Sequence, residues 1–314
     1  MPTTGKTVRF VIAGGLALFC CAAAPAPKKD VKKEQPGKLA EKKDEKATDS
    51  GKPKSTVDPF GVTMVNPTKK DGRTWFAKWT AARALKKGQT DPQDSEFQNR
   101  GSGTFEVKGG GVAVASGAVN RHYIWDQSAA KKWQNIELTF YGKYGKSAPA
   151  AGAPKPPPSG LMIEVRTGDG HVDDPARQCD GASYSLALYD DGRAEFKKEA
   201  KHPVYSSKNP SAKVWDGGGA MPEGVWIGFK AVVKDVADGV YLALYRDMTD
   251  GAGGGKWDKL LEYTDKGAWT VGDGTPICER PATHVLKGAY PVVLIRNDNA
   301  TTEYKKVSVR EISP

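Results

Sequence analysis

The chain predicts an all-β fold: two antiparallel sheets stacked as a sandwich or jelly roll, behind a disordered N-terminal tether. Three observations carry that expectation. From Phe97 to the C-terminus, ten or more short runs alternate apolar and polar residues with period two, as a strand with one buried face requires. Clusters of Gly, Pro, Asn and Asp separate these runs. The first 56 residues show no such alternation and are dominated by one apolar run and many lysines.

Residues 1–24 read as a signal peptide. Lys6 and Arg9 precede an uncharged apolar run, residues 10–24 (FVIAGGLALFCCAAA). As a helix this run rises only ~22 Å, short of a ~30 Å hydrocarbon core. A basic flank, a short core and a small-residue exit describe an export signal rather than a membrane span. Leu18-Phe19-Cys20-Cys21 resembles a bacterial lipoprotein signal, so Cys21 or Cys20 is a candidate lipidation site; cleavage near Ala22-Ala23-Ala24 is the competing expectation. Residues 25–56 hold ten lysines, six acidic residues and four prolines, with almost nothing apolar. They cannot bury enough surface to offset the entropy of ordering, and are expected to form a disordered linker. The protein is therefore expected outside the cytoplasm, lipid-anchored at a bacterial envelope or secreted.

Residues 57–314 are long enough for a full core in one domain. Of the chain's formal charge of +10, little belongs to this part, which holds 35 basic and 31 acidic residues. No basic stripe with interleaved aromatics is present, so nucleic acid is not an expected partner. Membrane contact is expected only through a lipid anchor, and a monomer is expected. Once the leader is set aside, the remaining cysteines are Cys179 and Cys278. In an oxidising compartment they are expected to pair; neither has the CxxC or histidine neighbours of a metal site.

The strands follow in order. Residues 104–108 (TFEVK) turn through Gly109-Gly110-Gly111 into residues 112–115 (VAVA). Residues 135–141 (NIELTFY) put Ile136, Leu138 and Phe140 on one face. Residues 161–167 (LMIEVRT) put Leu161, Ile163 and Val165 on one face and Met162, Glu164 and Arg166 on the other. Residues 184–189 and 193–197 form a hairpin across Asp190-Asp191-Gly192, and residues 225–235 and 240–246 another across Ala237-Asp238-Gly239. Residues 291–296 and 304–312 close the chain. Residues 75–87 carry the one expected helix, and the proline-rich run 148–159 reads as an exposed loop insertion.

A resemblance enters on Phe97-Gln98-Asn99-Arg100-Gly101-Ser102-Gly103, on residues 133–138 (WQNIEL), on residues 160–166 (GLMIEVR), and on the closing pair, residues 292–296 and 304–309. Together they resemble the concanavalin A-like lectin/glucanase sandwich, the superfamily that includes laminin-G-like domains, over roughly residues 58–314. The resemblance implies a concave sheet that binds or cleaves a polysaccharide.

Candidate chemistry gathers around two strand ends. Arg166 and His171 leave one strand, and His202 and Tyr205 follow the next hairpin, whose outer ends should lie together. For an acidic polysaccharide this set suits β-elimination: Arg166 or Lys230 neutralises a uronate carboxylate, His202 removes the adjacent proton, and Tyr205 acts as acid or base. His122 and His284 read as loop surface. Paired carboxylates for glycoside hydrolysis are absent, since Glu164 stands alone on its strand. For binding without cleavage, the candidates are Glu164, Trp226, Lys230 and Tyr241, aromatic rings taking sugar C–H faces and polar groups taking hydroxyls. Trp226 and Lys230 share the strand face opposite Val225, Ile227, Phe229 and Ala231. No cofactor is expected beyond calcium, for which Asp169, Asp173 and Asp174 offer hard oxygen donors in a glycine-containing loop. The reading favoured here is an exported carbohydrate-binding protein; a polysaccharide lyase and an envelope structural protein without a ligand are the alternatives.

Overall fold

The computed structural model describes residues 57–146, 159–169 and 175–314. Cys20, Cys21, the signal and linker segments, residues 148–158 of the proline-rich run, His171, Asp173 and Asp174 lie outside these described residues. Among the described residues there are fifteen strands: β1 (Thr74–Phe76), β2 (Arg83–Leu85), β3 (Gln89–Asp91), β4 (Asp94–Asn99), β5 (Thr104–Gly109), β6 (Val112–Trp125), β7 (Ile136–Lys146), β8 (Gly160–Thr167), β9 (Ser183–Tyr189), β10 (Arg193–Lys201), β11 (Val204–Lys213), β12 (Trp226–Val236), β13 (Gly239–Asp247), β14 (Asp258–Asp265) and β15 (Val292–Glu311).

All of the strand pairings are antiparallel, and two long strands divide them into two layers. The first half of β15 pairs with β8, and its second half, from Ala300, pairs with β7 on the same edge. The opposite edge of β15 pairs with β6 from Val292 to Lys305 and with β1 from Ser308 to Arg310. A front layer therefore runs β11-β10-β9-β8-β15-β6-β4-β3, and a back layer runs β14-β13-β12-β7-β15-β6-β5-β2. The crossing falls at Asn299, which has φ of +52°, and the next residue, Ala300, lies opposite Gly117 at +114°. The Asn297 amide donates to Thr302 Oγ1 at 2.6 Å across this bend. Gly103 packs against the bend in β6; a Cβ there would sit 2.6 Å from the Ser116 carbonyl oxygen.

The space between the layers is filled as strand alternation dictates. Leu161, Ile163 and Val165 of β8, Leu186 and Leu188 of β9, Leu138 and Phe140 of β7, and Ile227 and Phe229 of β12 are all buried in one core. Phe140 and Phe229 stack at 4.8 Å. Leu161 of the front layer lies over Gly142 of the back layer, where a Cβ would come 2.5 Å from Leu161 Cδ2. Charged and polar groups also bridge the layers: Asp265 of β14 accepts from Tyr184 Oη at 2.6 Å and from Lys198 Nζ at 2.8 Å. Both expected hairpins are present, as β9–β10 and β12–β13. Cys179 and Cys278 form a disulfide.

Two expectations are corrected. Residues 75–87 contain strands β1 and β2 in place of a helix, because β1 adds to β15 and β2 to β5. Trp75, Trp79 and Leu85 are thereby buried, with Trp79 edge-on to Phe97 and Phe105. His122 is a core residue on β6, 1% exposed, with its ring 4.5 Å from Phe105. It alternates with Tyr123, so the strand period turns it inward. Among the described residues neither of its ring nitrogens has a hydrogen-bond partner, and burial, followed by the neighbouring Arg121 charge, pushes its pKa from 6.5 down to about 3.

Two tests follow from this packing. Gly103→Ala should destabilise the domain by roughly 1–3 kcal/mol in chemical denaturation, since backbone must move to admit the methyl group. Between pH 6.5 and about 3 the unfolded chain binds a proton at His122 that the folded chain refuses. The stability associated with the neutral ring is full above pH 6.5 and is lost as pH falls, by about 1.4 kcal/mol per pH unit. Denaturation at pH 7 and pH 4 should therefore show the parent chain losing about 3 kcal/mol more than His122→Leu.

Candidate functional site

On the outer face of the front layer, side chains that alternate with the core residues come together in register. Glu164 of β8 pairs directly with Ser185 of β9, and Ser185 with Lys197 of β10. Met162, Ala187 and Tyr189 form an apolar cluster beside this row. A depression of about 230 Å³ opens over them, lined also by Glu199, His202, Pro203, Tyr205, Arg296 and Asp298.

Its groups differ in how fully they are engaged. Arg296 donates from Nη1 to Glu164 at 2.6 Å and from Nε to Asp298 at 2.9 Å. Burial opposes the Arg296 charge, yet the two carboxylates outweigh it and hold the guanidinium above its ordinary pKa. Asp298 also pairs with Arg121. Glu199 Oε1 lies 3.0 Å from His202 Nδ1; if Nδ1 carries the proton, Nε2 is the basic nitrogen of the ring. Lys197 Nζ sits 5.0 Å from the centroids of both the Tyr189 and Tyr205 rings. Tyr189 is the buried floor, whereas Tyr205 is 54% exposed at the rim. Burial pushes the Lys197 ammonium below its ordinary pKa despite the opposing effect of Glu195.

Three of the residues singled out from sequence, Glu164, His202 and Tyr205, thus share one depression. Arg166 is not with them. Val165 and Arg166 together oppose Val293 in a β-bulge, and Arg166 takes φ of +59°. The extra residue breaks the alternation, and the guanidinium turns to Asp235 at 3.1 Å and Asn135 at 3.3 Å, only 2% exposed. Trp226, Lys230 and Tyr241 lie on the back layer. Two ammonium groups, Lys305 and Lys143, stand 4.2 and 5.1 Å from the Trp226 ring centroid. Lys230 is buried against Glu137 at 2.9 Å and Thr139 at 2.8 Å. Glu137 also accepts from Arg310, Val65 and Asn66, so the incoming segment seals this face. Tyr241 donates to Glu262 at 2.6 Å. Asp169 is paired with Arg100 at 2.7 Å and Arg177 at 2.8 Å, and no group of three metal-ligating side chains gathers among the described residues.

The candidates chosen from sequence do not include Tyr189, Lys197, Glu199, Arg296 or Asp298. The first three were within reach, since Ser185 and Tyr189 alternate with Leu186 and Leu188, and Lys197 follows Phe196. Arg296 lies 132 residues downstream of Glu164, on the same strand as Asp298, and their meeting with Glu164 follows from sheet order.

No protein-family model matches the chain, and no curated protein matches it. Among solved structures, it is similar to lectin II from Ulex europaeus, at 9% identity over 73% of this chain and 97% of the lectin, with a TM-score of 0.38. It is similar also to the metal-free carbohydrate recognition domain of Emp46p, at 11% identity over 74% of this chain and 97% of that one, with a TM-score of 0.40. A third is the receptor binding domain of botulinum neurotoxin mosaic serotype C/D, at 10% identity over 74% of this chain, with a TM-score of 0.38. This chain spans 47% of that domain, about half its length.

Removing Arg296 should expose how much the depression depends on its ion pairs. Arg296→Ala leaves the buried Glu164 carboxylate without its guanidinium, and should cost about 2–3 kcal/mol in thermal or chemical denaturation. Arg296→Lys should retain part of that.

Proposed function

We propose that the chain is a carbohydrate-binding domain that takes a glycan in the depression on the outer face of its front layer. The supporting observation is the composition of one site: an exposed aromatic ring, Tyr205, stands at the edge of an apolar floor of Met162 and Tyr189, with Ser185, Glu164, Lys197 and His202 within the same depression. A sugar presents C–H faces suited to the ring and hydroxyls suited to the polar groups. We place this domain on an exported protein, a monomer held at or released from a bacterial envelope, with a polysaccharide of that surroundings as its ligand.

One observation favours a second reading, β-elimination on an acidic glycan. Glu199 holds His202 by its Nδ1 in the depression that also contains Tyr205. In that reading His202 takes the proton on the carbon next to the uronate carboxylate. The electron pair forms the new C–C double bond, the glycosidic C–O bond breaks, and Tyr205 protonates the departing oxygen. Arg166, turned away by its bulge, is not available to the carboxylate.

A glycan array with the disulfide-intact domain, paired with an ultraviolet assay for unsaturated uronate, separates these readings. Binding without absorbance gain supports the first, and absorbance gain that disappears in His202→Ala supports the second. Tyr205→Ala, at an exposed position that should leave thermal stability unchanged, should weaken glycan binding about tenfold. Full affinity in that variant would remove the ring from the site.

A further inference from the structure

We propose that the ligand of this depression carries an anionic substituent, a carboxylate or a sulfate on a sugar ring, and that the Lys197 ammonium receives it. The inference rests on the glycan-binding reading and adds the charge class of the ligand.

Three lysines of the sheets differ in what surrounds their ammonium groups. Lys198, on the core side of β10, donates to Asp265, to the Trp269 carbonyl and to the Thr283 carbonyl. Lys230, on the back layer, donates to Glu137 and Thr139. Both are 1% exposed and both are satisfied. Lys197 differs. Its side chain is only 27% exposed, yet its nearest carboxylate oxygen, on Glu195, is 3.9 Å away, and no hydrogen bond from Nζ occurs among the described residues. Two tyrosine rings flank it instead. A partly desolvated ammonium gains from an anion more than a solvated one does, because less water must be displaced and the local dielectric is lower.

The acidic groups in the same depression do not oppose an incoming anion. Glu164 is paired with Arg296, Asp298 with Arg296 and Arg121, and Glu199 lies against His202. Arg296 has its two described donations spent on those carboxylates. Of Arg296 and Lys197, the two basic side chains of lysine or arginine lining the depression, Arg296 has its charge matched by two carboxylates at hydrogen-bond distance, whereas the nearest carboxylate to Lys197 is 3.9 Å away. Ser185 stands directly beside it in register and can take a ring hydroxyl, while Tyr205 can take the ring face.

Calorimetry on the disulfide-intact domain tests this with matched neutral, uronate-containing and sulfated oligosaccharides against the parent chain, Lys197→Met and Lys197→Arg. The parent should bind one anionic series at least about tenfold more tightly than the neutral one, with affinity falling as salt rises. Lys197→Met should lower the anionic affinity at least about tenfold more than the neutral one, erasing that preference, and Lys197→Arg should restore it; a thermal midpoint in Lys197→Met no lower than the parent's excludes misfolding. Carboxylate and sulfate are told apart by which series is preferred. Equal affinity of the parent for neutral and anionic sugars would overturn the inference while leaving glycan binding intact. So would an equal loss on both series in Lys197→Met, which marks a packing role. Failure of the parent to bind any of the three series would remove both readings.

Discussion

The Asn297–Thr302 hydrogen bond spans the point where β15 leaves the front layer for the back one. Asn299 at positive φ and Gly117, opposite the adjacent Ala300, let β15 and β6 bend together without losing their pairing. The close approach of Gly103 admits no side chain at that bend. Nearly every other strand takes its place from this crossing, since β8 and β7 compete for the same edge of β15 and must be stacked. The site depends on it too. Arg296 and Asp298 are the last outward residues before the bend, so the wall that clamps Glu164 stands where the strand turns away.

Buried charges then select one arrangement of the layers. Lys198 and Asp265 come from opposite layers, are almost wholly enclosed, and share Asp265 with Tyr184. Glu137, Lys230 and Arg310 form a second enclosed set that also captures residues 65 and 66. Such pairs add little net stability when complete, but a stacking that leaves one member unpaired costs about 3–5 kcal/mol. The Glu137 set explains why Lys230, on an outward-facing strand position, is buried with its ammonium bonded to Glu137 and Thr139. Burial alone would raise the Glu137 carboxyl, yet Lys230 and Arg310 hold it below its ordinary pKa, so the charges stay committed to each other.

Most of the strand pattern was legible because it rests on a local period of two. Ile163, Leu186 and Phe229 face the core as that period requires, and both hairpins fall where turn residues interrupt it. Three candidate residues, Glu164, His202 and Tyr205, do share one depression, the last two because they follow the hairpin β9–β10 whose outer end lies beside β8. What was missed is nonlocal or aperiodic. The bulge that turns Arg166 inward has no glycine or proline to announce it. Trp226 and Lys230 do lie on the face opposite the core, but which segment covers that face is decided 160 residues upstream. Residues 75–87 carry helix-forming lysines and alanines, and pairing with β15 and β5 overrides that propensity. His122 illustrates the converse: period two on β6 turns it inward, while its chemistry alone suggested the surface.

The disulfide links the expected compartment to the geometry of the site. Cys179 lies in the 3-10 turn Pro175–Gly181, and Cys278 in the loop between β14 and β15. The same turn accepts the His202 amide on the Gln178 carbonyl at 3.0 Å, and its Asp180 carbonyl takes the Gly168 amide at the end of β8. The rim that presents His202 is thus tied by backbone bonds to a turn that is itself tied covalently across to the β14–β15 loop. Closing a 99-residue separation removes about 4–5 kcal/mol of loop entropy from the unfolded chain in the chain-entropy model. Disulfides persist in oxidising surroundings. The conditions that an N-terminal export signal would bring are therefore also those in which the rim is held against the strand bearing Glu164.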